Sequence, residues 1–227
     1  MKRTFFNSKG KDKQYIVIGC GRFGSSVAKK MCQLGNEVMV IDKDEDSIEN
    51  IAEQVTHTAI VDVTEERDLK SIGLGNFDVV IVAISSDIRA SIMVTIMAKE
   101  MGVPKIVCKA KDELQAKVLY KIGADKVVFP ERDMGIRLAY NLASENILDQ
   151  INLDPEYSIM EIVTPTNWVG KTIIELNLRA KYDITVLAVK TTSGLKVMPS
   201  PNYKMQEKNI LIIIGNTDKI SDIILEN

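Results

Sequence analysis

The sequence predicts an α/β protein, in which a doubly wound parallel sheet is followed by a smaller α+β domain. Two observations predict the sheet. Short apolar runs alternate with amphipathic helical stretches from residue 14 to residue 133, and a glycine-rich turn follows the first run. Parallel neighbouring strands need crossover connections, which helices of this length provide. From Tyr157 onward the predicted order changes to a strand, a short helix over 172–178, a strand, a hairpin around Ser193-Gly194, a strand and a terminal helix, which predicts a separate domain over residues 157–227.

Six strands and five helices are predicted in the first domain. Several of these strands lack alternation, as expected for strands that are covered on both faces. The predicted strands are 15–18, 37–41, 58–61, 79–83, 105–109 and 126–129, and the predicted helices are 23–34, 45–54, 65–72, 88–101 and 113–122. Gly35, Gly102 and Gly123 each follow a helix, where a C-cap glycine is expected.

The flanking segments are predicted to be a tail, a crossover segment and a linker. Residues 1–13 are polar and lysine-rich, which predicts a disordered tail. An apolar stripe predicts one helix from Met134 to Asp149, within a crossover segment 134–150. This helix lies on the outer edge of the sheet or docks on a second subunit. Residues 151–156 form a linker, and the small second domain is expected to dimerise.

Composition and charge indicate an ordinary soluble globular protein. Of the 227 residues, 45% are hydrophobic and 26% are charged. The net charge of −2 provides no basic face, so no nucleic-acid partner is expected. Aliphatic runs such as Ile210–Ile214 are far too short to span a membrane, which needs about 20 apolar residues. Three cysteines without CxxC or metal spacing indicate a reducing cytoplasm.

The main functional signal is the glycine-rich turn Gly19-Cys20-Gly21-Arg22-Phe23-Gly24. Its first glycine permits the turn, the second lets the backbone approach a pyrophosphate, and the third allows close packing of helix and strand. The N-terminus of the following helix attracts phosphate. Asp42 ends the second apolar run, where an acid binds a ribose diol and disfavours a 2′-phosphate despite the neighbouring Lys43. ATP or ADP and NAD(H) remain alternatives, whereas NADP is disfavoured.

Other polar residues lie at carboxyl ends of predicted strands, where ligands bind in open α/β sheets. Arg22 is predicted to bind a phosphate beyond the first two, or else to form a surface ion pair. Glu131 either binds a divalent cation that bridges it to the phosphates, or is a plain acid at a helix start. The predicted nucleotide site is Gly19, Gly21, Arg22, Phe23, Gly24, Asp42, Lys43, Asp62, Ala83, Ser85, Lys109 and Glu131.

Catalytic chemistry is not predicted. The second domain has no histidine, no cysteine and no evident paired carboxylates, and the chain has no nucleophile elbow or P-loop lysine. Cys20 is predicted to be a small buried filler rather than a redox group, and His57 a solvent-facing or packing residue. The sequence therefore predicts a protein that binds a nucleotide without transforming it.

Longer motifs resemble the RCK family, the regulatory nucleotide-binding subunits of Trk and Ktr potassium uptake systems. The resemblance covers almost everything from Lys13 onward and is carried by residues 17–25, 79–84, 121–125, 130–135 and 170–182. It implies a Rossmann domain and a C-terminal regulatory domain in a cytosolic octameric ring of paired subunits. The ring docks on a potassium-translocating membrane dimer, and ATP favours its active form and ADP its inactive form. Arg22 would contact terminal phosphates from across a subunit interface.

The resemblance also implies a cyclic di-AMP site at the dimer interface of the second domain, which turns uptake off. The matching positions are Ile173, Asn177, Leu178, Arg179, Thr185 and Pro199. Arg179 would pair with a phosphodiester, and Ile173 with Leu178 would flank an adenine. Asp183 departs from the family glycine, but aspartate tolerates a left-handed backbone. Further departures are Asn177 and Lys208-Asn209. A dimer core without a ligand is the alternative for this cluster.

Two other functions stay open from the sequence. One is an NAD(H)-binding component of an oxidoreductase whose catalytic chain is separate. The other is a free-standing nucleotide sensor that acts on another protein, such as an antiporter. A strong preference for NADH over ATP would favour the oxidoreductase component.

Overall fold

The computed structural model describes residues 13–84, 86–143, 147–154 and 156–225. The chain divides into two compact units between Arg132 and Asp133. The predicted tail therefore lies outside the described residues except for Lys13, and so does Ser85 of the predicted nucleotide site. No helix in the described ranges is both long enough and apolar enough to cross a membrane.

The first unit contains a six-stranded parallel sheet in the order β3-β2-β1-β4-β5-β6. This confirms the predicted doubly wound sheet, whose strand order reverses between β1 and β4. The strands are β1 Gln14–Ile18, β2 Glu37–Asp42, β3 His57–Ile60, β4 Val79–Val82, β5 Lys105–Lys109 and β6 Lys126–Val128. The helices are α1 Arg22–Gln33, α2 Glu45–Glu49, α3 Glu66–Ser71, α4 Ile88–Glu100 and α5 Glu113–Lys121, with 3-10 helices at Ala52–Gln54 and Leu74–Asn76. A sixth helix, α6 Pro130–Ala143, begins in this unit and continues along the chain into the second.

Helices cover both faces of this sheet, which explains the unbroken apolar strands. Ile16 and Ile18 of β1 pack in one core cluster, whereas Val17 between them packs in another. All three side chains are fully buried. A strand buried on both faces gains from an apolar residue at every position, so it does not alternate.

Left-handed glycines end three of the helices of the first unit. Gly35 has φ 86°, Gly102 has φ 76° and Gly123 has φ 119°. Glycine adopts this region without the steric cost that a Cβ atom adds. The three C-cap predictions are therefore confirmed.

The second unit contains a five-stranded antiparallel sheet in the order β10-β9-β11-β8-β7. Side chains from β8, β9 and β11 form its core with residues from the helices. The strands are β7 Ile147–Asn152, β8 Tyr157–Val163, β9 Ile184–Thr191, β10 Gly194–Val197 and β11 Ile210–Asn216, and the helices are α7 Ile173–Leu176, α8 Leu178–Tyr182 and α9 Thr217–Leu225, with a 3-10 helix at Thr166–Trp168. The predicted small α+β unit is confirmed.

Two predicted helices of the second half differ from the structure. The helix expected from Met134 to Asp149 ends at Ala143 as α6, and the chain from Ile147 pairs with β8 as β7. Ile147 is buried opposite Ile162, so strand pairing outweighs the helical spacing of the apolar residues. The strand also takes up the first two residues of the linker expected at 151–156.

The helix expected over 172–178 is divided at Asn177. This residue has φ 46° and separates α7 from α8. Asp183 has φ 62° at the end of α8, so it adopts the left-handed conformation expected of it. Asparagine and aspartate accept this conformation more readily than other side chains.

Gly24→Ala is expected to destabilise the protein. A Cβ atom at Gly24 would lie 1.9 Å from the carbonyl oxygen of Gly19, so α1 and the turn would have to separate. Overpacking of this kind costs about 1–3 kcal/mol or more of unfolding free energy. Urea denaturation of the two proteins measures the loss.

Gly135→Ala is the matched control, because a Cβ atom at this α6 position has no neighbour within 4 Å. Alanine should stabilise a helix interior by about 0.5–1 kcal/mol relative to glycine. Equal stabilities of the two variants would contradict the packing role of Gly24.

Candidate functional site

A cleft of about 460 Å³ opens at the carboxyl end of the parallel sheet, where the strand order reverses. It brings together ten of the twelve predicted site residues. They are Gly19, Gly21, Arg22, Phe23, Asp42, Lys43, Asp62, Ala83, Lys109 and Glu131. Gly24 packs behind the turn, and Ser85 lies outside the described residues.

The glycine turn forms the floor of the cleft. Gly19 has φ 103°, and its N–H donates to the Ile41 carbonyl over 2.9 Å. A Cβ atom at Gly21 would meet nothing within 4 Å, so the backbone here is open to an approaching ligand. At Gly24, in contrast, there is no room for a side chain. Gly19 therefore makes the turn, Gly21 leaves the backbone accessible to a ligand, and Gly24 allows the helix to pack closely on the turn.

The start of α1 suits an anion. Its N-cap is Gly21, which has no side chain to cap the helix, and its first turn contains no acidic residue. The first N–H groups of a helix have no partner within the helix and carry partial positive charge. Arg22 is exposed there, and none of the ion pairs formed in the described ranges involves its guanidinium. The surface ion pair that was the alternative for Arg22 is therefore not formed by these residues.

Asp42 holds the turn against the end of β2. Its Oδ2 accepts from the Cys20 N–H over 2.6 Å, and its Oδ1 accepts from the Asp44 N–H over 3.0 Å. A carboxylate has about four lone-pair positions, so both oxygens keep capacity for ribose hydroxyl groups. Asp42 can therefore hold the glycine turn in place and still accept hydrogen bonds from hydroxyl groups of a ligand.

Cys20 is buried behind this turn. It is 7% exposed, and its Sγ donates to the Ser47 carbonyl over 3.3 Å. Burial, followed by the charge of Asp42, raises the pKa of the thiol. The thiol stays protonated at neutral pH and is a poor nucleophile, which supports the structural role predicted for it.

An ion pair closes the cleft at the β5 and β6 side. Lys109 Nζ lies 2.6 Å from Glu131 Oε1, and the Lys109 side chain is 11% exposed against 71% for Glu131. The Phe23 ring lies on the other side of the ammonium, with its centroid 5.9 Å from Nζ. The hydrogen bond from Lys109 is the main cause of the lowered pKa of Glu131.

Glu131 provides only part of a metal site in the described ranges. These ranges contain no group of three histidine, cysteine, aspartate or glutamate side chains that converges on one point. A divalent cation at Glu131 would compete with the Lys109 ammonium and would need phosphate oxygens as further ligands.

A second carboxylate lies at the end of β3. Asp62 Oδ1 accepts from the N–H and the hydroxyl of Thr64 over 3.0 and 2.8 Å. These bonds are the main causes of its lowered pKa, so the group stays ionised. Asp87 was not predicted as a site residue, although it lines the cleft and caps α4 through a 3.0 Å bond from the Ala90 N–H. Asp87 stands directly before the predicted helix 88–101, and this position could have identified it from the sequence.

The positions matched to cyclic di-AMP do not all reach the surface. Arg179, Thr185 and Asn177 are exposed, and Ile173 and Pro199 are half-buried. Leu178 is 2% exposed and packs in the core of the second unit. The Leu178 side chain therefore packs α8 against the core of the second unit and offers little surface to a ligand in this structure.

Comparisons with known proteins match both units. The TrkA-N domain model matches residues 15–130, and the TrkA-C domain model matches residues 158–225. The chain is 42% identical to Ktr system potassium uptake protein A of Bacillus subtilis, over 92% of this chain and 95% of that protein. It is 45% identical to protein C of the same organism over the same shares, and 35% identical to protein A of Vibrio alginolyticus over 93% and 96%.

Solved structures agree on the fold. The GsuK RCK domain has a TM-score of 0.54 at 23% identity and covers 97% of this chain, which spans 48% of that chain. The GsuK structure bound to ADP has a TM-score of 0.51 at 26% identity, over 59% of this chain and 34% of that chain. The match thus covers about half of the GsuK RCK domain chain and about a third of the ADP-bound GsuK chain.

The Glu131 carboxyl is expected to titrate below the ordinary glutamate range, and Lys109→Met should raise its pKa. Because the folded-state pKa is lowered, the ion pair stabilises the folded protein above the unfolded-state pKa. This contribution is lost as the pH falls through the folded-state pKa. Carboxyl NMR shifts of both proteins give the two values. Equal values in wild type and Lys109→Met would contradict the assignment of the pair.

Proposed function

The chain belongs to the RCK family of potassium uptake proteins, with one TrkA-N and one TrkA-C domain, and on this premise we propose that it is the regulatory subunit of a Ktr-type potassium uptake system. In this proposal it binds ATP or ADP in the cleft of the first unit. The bound nucleotide sets the conformation of a cytoplasmic ring that lies against a membrane-embedded potassium-translocating subunit.

The distribution of charge in the cleft carries the proposal. Asp42 and Asp62 lie at the ends of β2 and β3, where a ribose and an adenine would bind. Arg22 and Lys109 lie at the glycine turn and at the end of β5, where phosphates would bind. Two carboxylates at one end and two cations at the other, with Lys43 and Glu131 also in the lining, support an adenosine polyphosphate bound in one orientation.

The difference between ATP and ADP is assigned to Arg22. A ligand shifts a conformational equilibrium only as far as its affinity differs between the two forms. A third phosphate reaching Arg22, of its own or a neighbouring subunit, would provide that difference. A charge-assisted hydrogen bond contributes about 1.5–3 kcal/mol, and a ring repeats the contact.

Self-assembly is supported by the exposed face of α6. Met134, Leu138 and Leu142 recur every four residues and so share one face, and each of them is at least 54% exposed, whereas Ile136 is 46% exposed on another side of the helix. Contiguous exposed apolar residues on a helix are typical of protein interfaces. We assign this helix to subunit pairing and an octameric ring to the assembled state.

Cyclic di-AMP is proposed as a second ligand, bound where two C-terminal units pair. Arg179 and Thr185 present exposed polar groups for a phosphodiester, and Ile173 is a half-buried apolar neighbour on α7. Its binding would favour the inactive form of the ring.

Arg22→Ala is expected to remove most of the preference for ATP over ADP. Loss of one charge-assisted contact should weaken ATP binding by roughly 10- to 100-fold and leave ADP binding nearly unchanged. Calorimetric titration of the assembled protein with both nucleotides measures the two affinities. Arg67→Ala, an exposed arginine on α3 outside the cleft, is the matched control. An unchanged preference in Arg22→Ala would refute the role of Arg22.

Arg179→Ala is expected to weaken cyclic di-AMP binding by at least about tenfold, because a phosphodiester would lose its cationic partner. ADP binding in the first unit should not change. Titration with both ligands tests this, with Lys190→Ala as an exposed cation of the same unit. If the wild-type protein binds ADP but not cyclic di-AMP, the proposed second ligand is wrong.

A further inference from the structure

We propose that a groove on the second unit binds a phosphate monoester between Lys171 and Lys181. The groove has a volume of about 500 Å³, and its lining comes from the 3-10 helix Thr166–Trp168, the loop that follows it, α7 and α8. Among the described residues, this lining shares none with the nucleotide cleft or with the positions matched to cyclic di-AMP. The inference therefore goes beyond the proposed function and does not rest on it.

The backbone of this groove is held in place by the fold. Gly170 has φ 84°, its N–H donates to the Met205 carbonyl over 2.9 Å, and the Met205 N–H donates to the Lys171 carbonyl over 2.8 Å. Trp168 is 4% exposed and Leu176 is 6% exposed, and both side chains pack in the core of the second unit. Sites for small ligands are usually preformed concavities of this kind. Lys171 thus extends from a segment with a fixed position.

Side-chain donors line the groove without partners among the described residues. Lys171 and Lys181 are exposed, and neither forms any of the ion pairs found in the described ranges. Within the same ranges, the Asn167 amide, the Tyr182 hydroxyl and the Trp168 indole N–H enter no hydrogen bond. Trp168 is almost completely buried and Tyr182 is half-buried. A buried donor without a protein partner is normally satisfied by a ligand or by water, so these groups are available to an acceptor in the groove.

The charge of the groove favours an anion. Its lining contains two ammonium groups and one carboxylate, that of Glu175. Glu175 Oε2 accepts from the N–H and the hydroxyl of Thr172 over 2.8 and 2.9 Å, and these bonds are the main causes of its lowered pKa. The carboxylate is therefore ionised at neutral pH, and one of its oxygens is already engaged. A phosphate monoester carries a charge of about −1.5 to −2 at pH 7 and offers three terminal oxygens, so it suits two lysines better than a carboxylate ligand does.

The size of the groove indicates that the phosphate belongs to an organic molecule. A volume of about 500 Å³ lies within the range of about 300–1,000 Å³ that is usual for sites of small organic ligands. A body attached to the phosphate would pack beside Leu176 and Tyr182, which line the groove, and any hydroxyl group on it would donate to the remaining Glu175 oxygen. Inorganic phosphate would leave most of this volume to water and should bind more weakly.

Trp168 provides the test, because it is the only tryptophan of the chain and it lines the groove. The full-length protein is titrated with glucose 6-phosphate and with phenyl phosphate, which carry a hydroxylated and an aromatic body. We expect at least one of them to change the Trp168 fluorescence in a saturable way, with a dissociation constant below about 10 mM. Inorganic phosphate should bind at least about fivefold more weakly than that probe, because it lacks the body.

Two variants with opposite expected effects connect the signal to the groove. Lys171→Ala/Lys181→Ala should weaken binding by at least about tenfold, because both cationic partners of the phosphate are lost. Glu175→Gln should tighten binding by about twofold or more, because a repelling charge is removed while glutamine still serves a capping box. Lys190→Ala/Lys196→Ala removes two exposed lysines of β9 and β10 outside the groove and should leave the dissociation constant unchanged. Thermal melting of each variant checks that it is folded.

The proposal is overturned if neither probe gives a saturable change in wild type, or if Lys171→Ala/Lys181→Ala binds as tightly as wild type. Inorganic phosphate that binds as tightly as the better probe also overturns it, because the groove would then hold a simple anion only. Equal weakening in Lys190→Ala/Lys196→Ala would indicate a general attraction of anions to the second unit, with the same consequence. Nucleotide binding by the first unit is not involved, so none of these results bears on the proposed function.

Discussion

The cleft depends on the close approach of α1 to the glycine turn. A Cβ atom at Gly24 would overlap the Gly19 carbonyl at 1.9 Å, so the helix start can reach the turn only without a side chain there. Asp42 then fixes the turn from the other side through the Cys20 N–H. The group that would bind the ribose is therefore also the group that shapes the phosphate site. A change at either place should disturb both parts of a bound nucleotide.

The sequence allowed prediction of the parts of the fold that obey local rules. Buried strands such as the one predicted at Tyr15–Ile18 were predicted correctly, because burial on both faces of a sheet requires an apolar run. The cleft residues could be placed because parallel strands bring their carboxyl ends to one edge. Residues 147–149 were wrongly predicted as helix, and residues 151–152 as linker. Pairing with β8 fixes that segment, and this partner lies beyond any local pattern.

Side-chain partners were less predictable than positions. Lys109 and Glu131 were both expected near phosphates, but their ion pair follows from the β5–β6 register, which strand prediction does not provide. Leu178 was expected beside an adenine because its position matches the ligand positions of the family, whereas α8, which follows the left-handed Asn177, buries its side chain in the core. The β5–β6 register and the left-handed Asn177 thus accompany the two contacts that the sequence pattern did not predict.

The Lys109–Glu131 ion pair also bears on which cation would bind a third phosphate in the proposed function. Lys109 already has an anionic partner at 2.6 Å, so a phosphate that binds it must replace Glu131 and gains only the difference between two charged contacts. The exposed Arg22 guanidinium forms none of the ion pairs of the described ranges, so a phosphate that bound it would displace no ion-pair partner among these residues. Discrimination between ATP and ADP should therefore come mainly from Arg22.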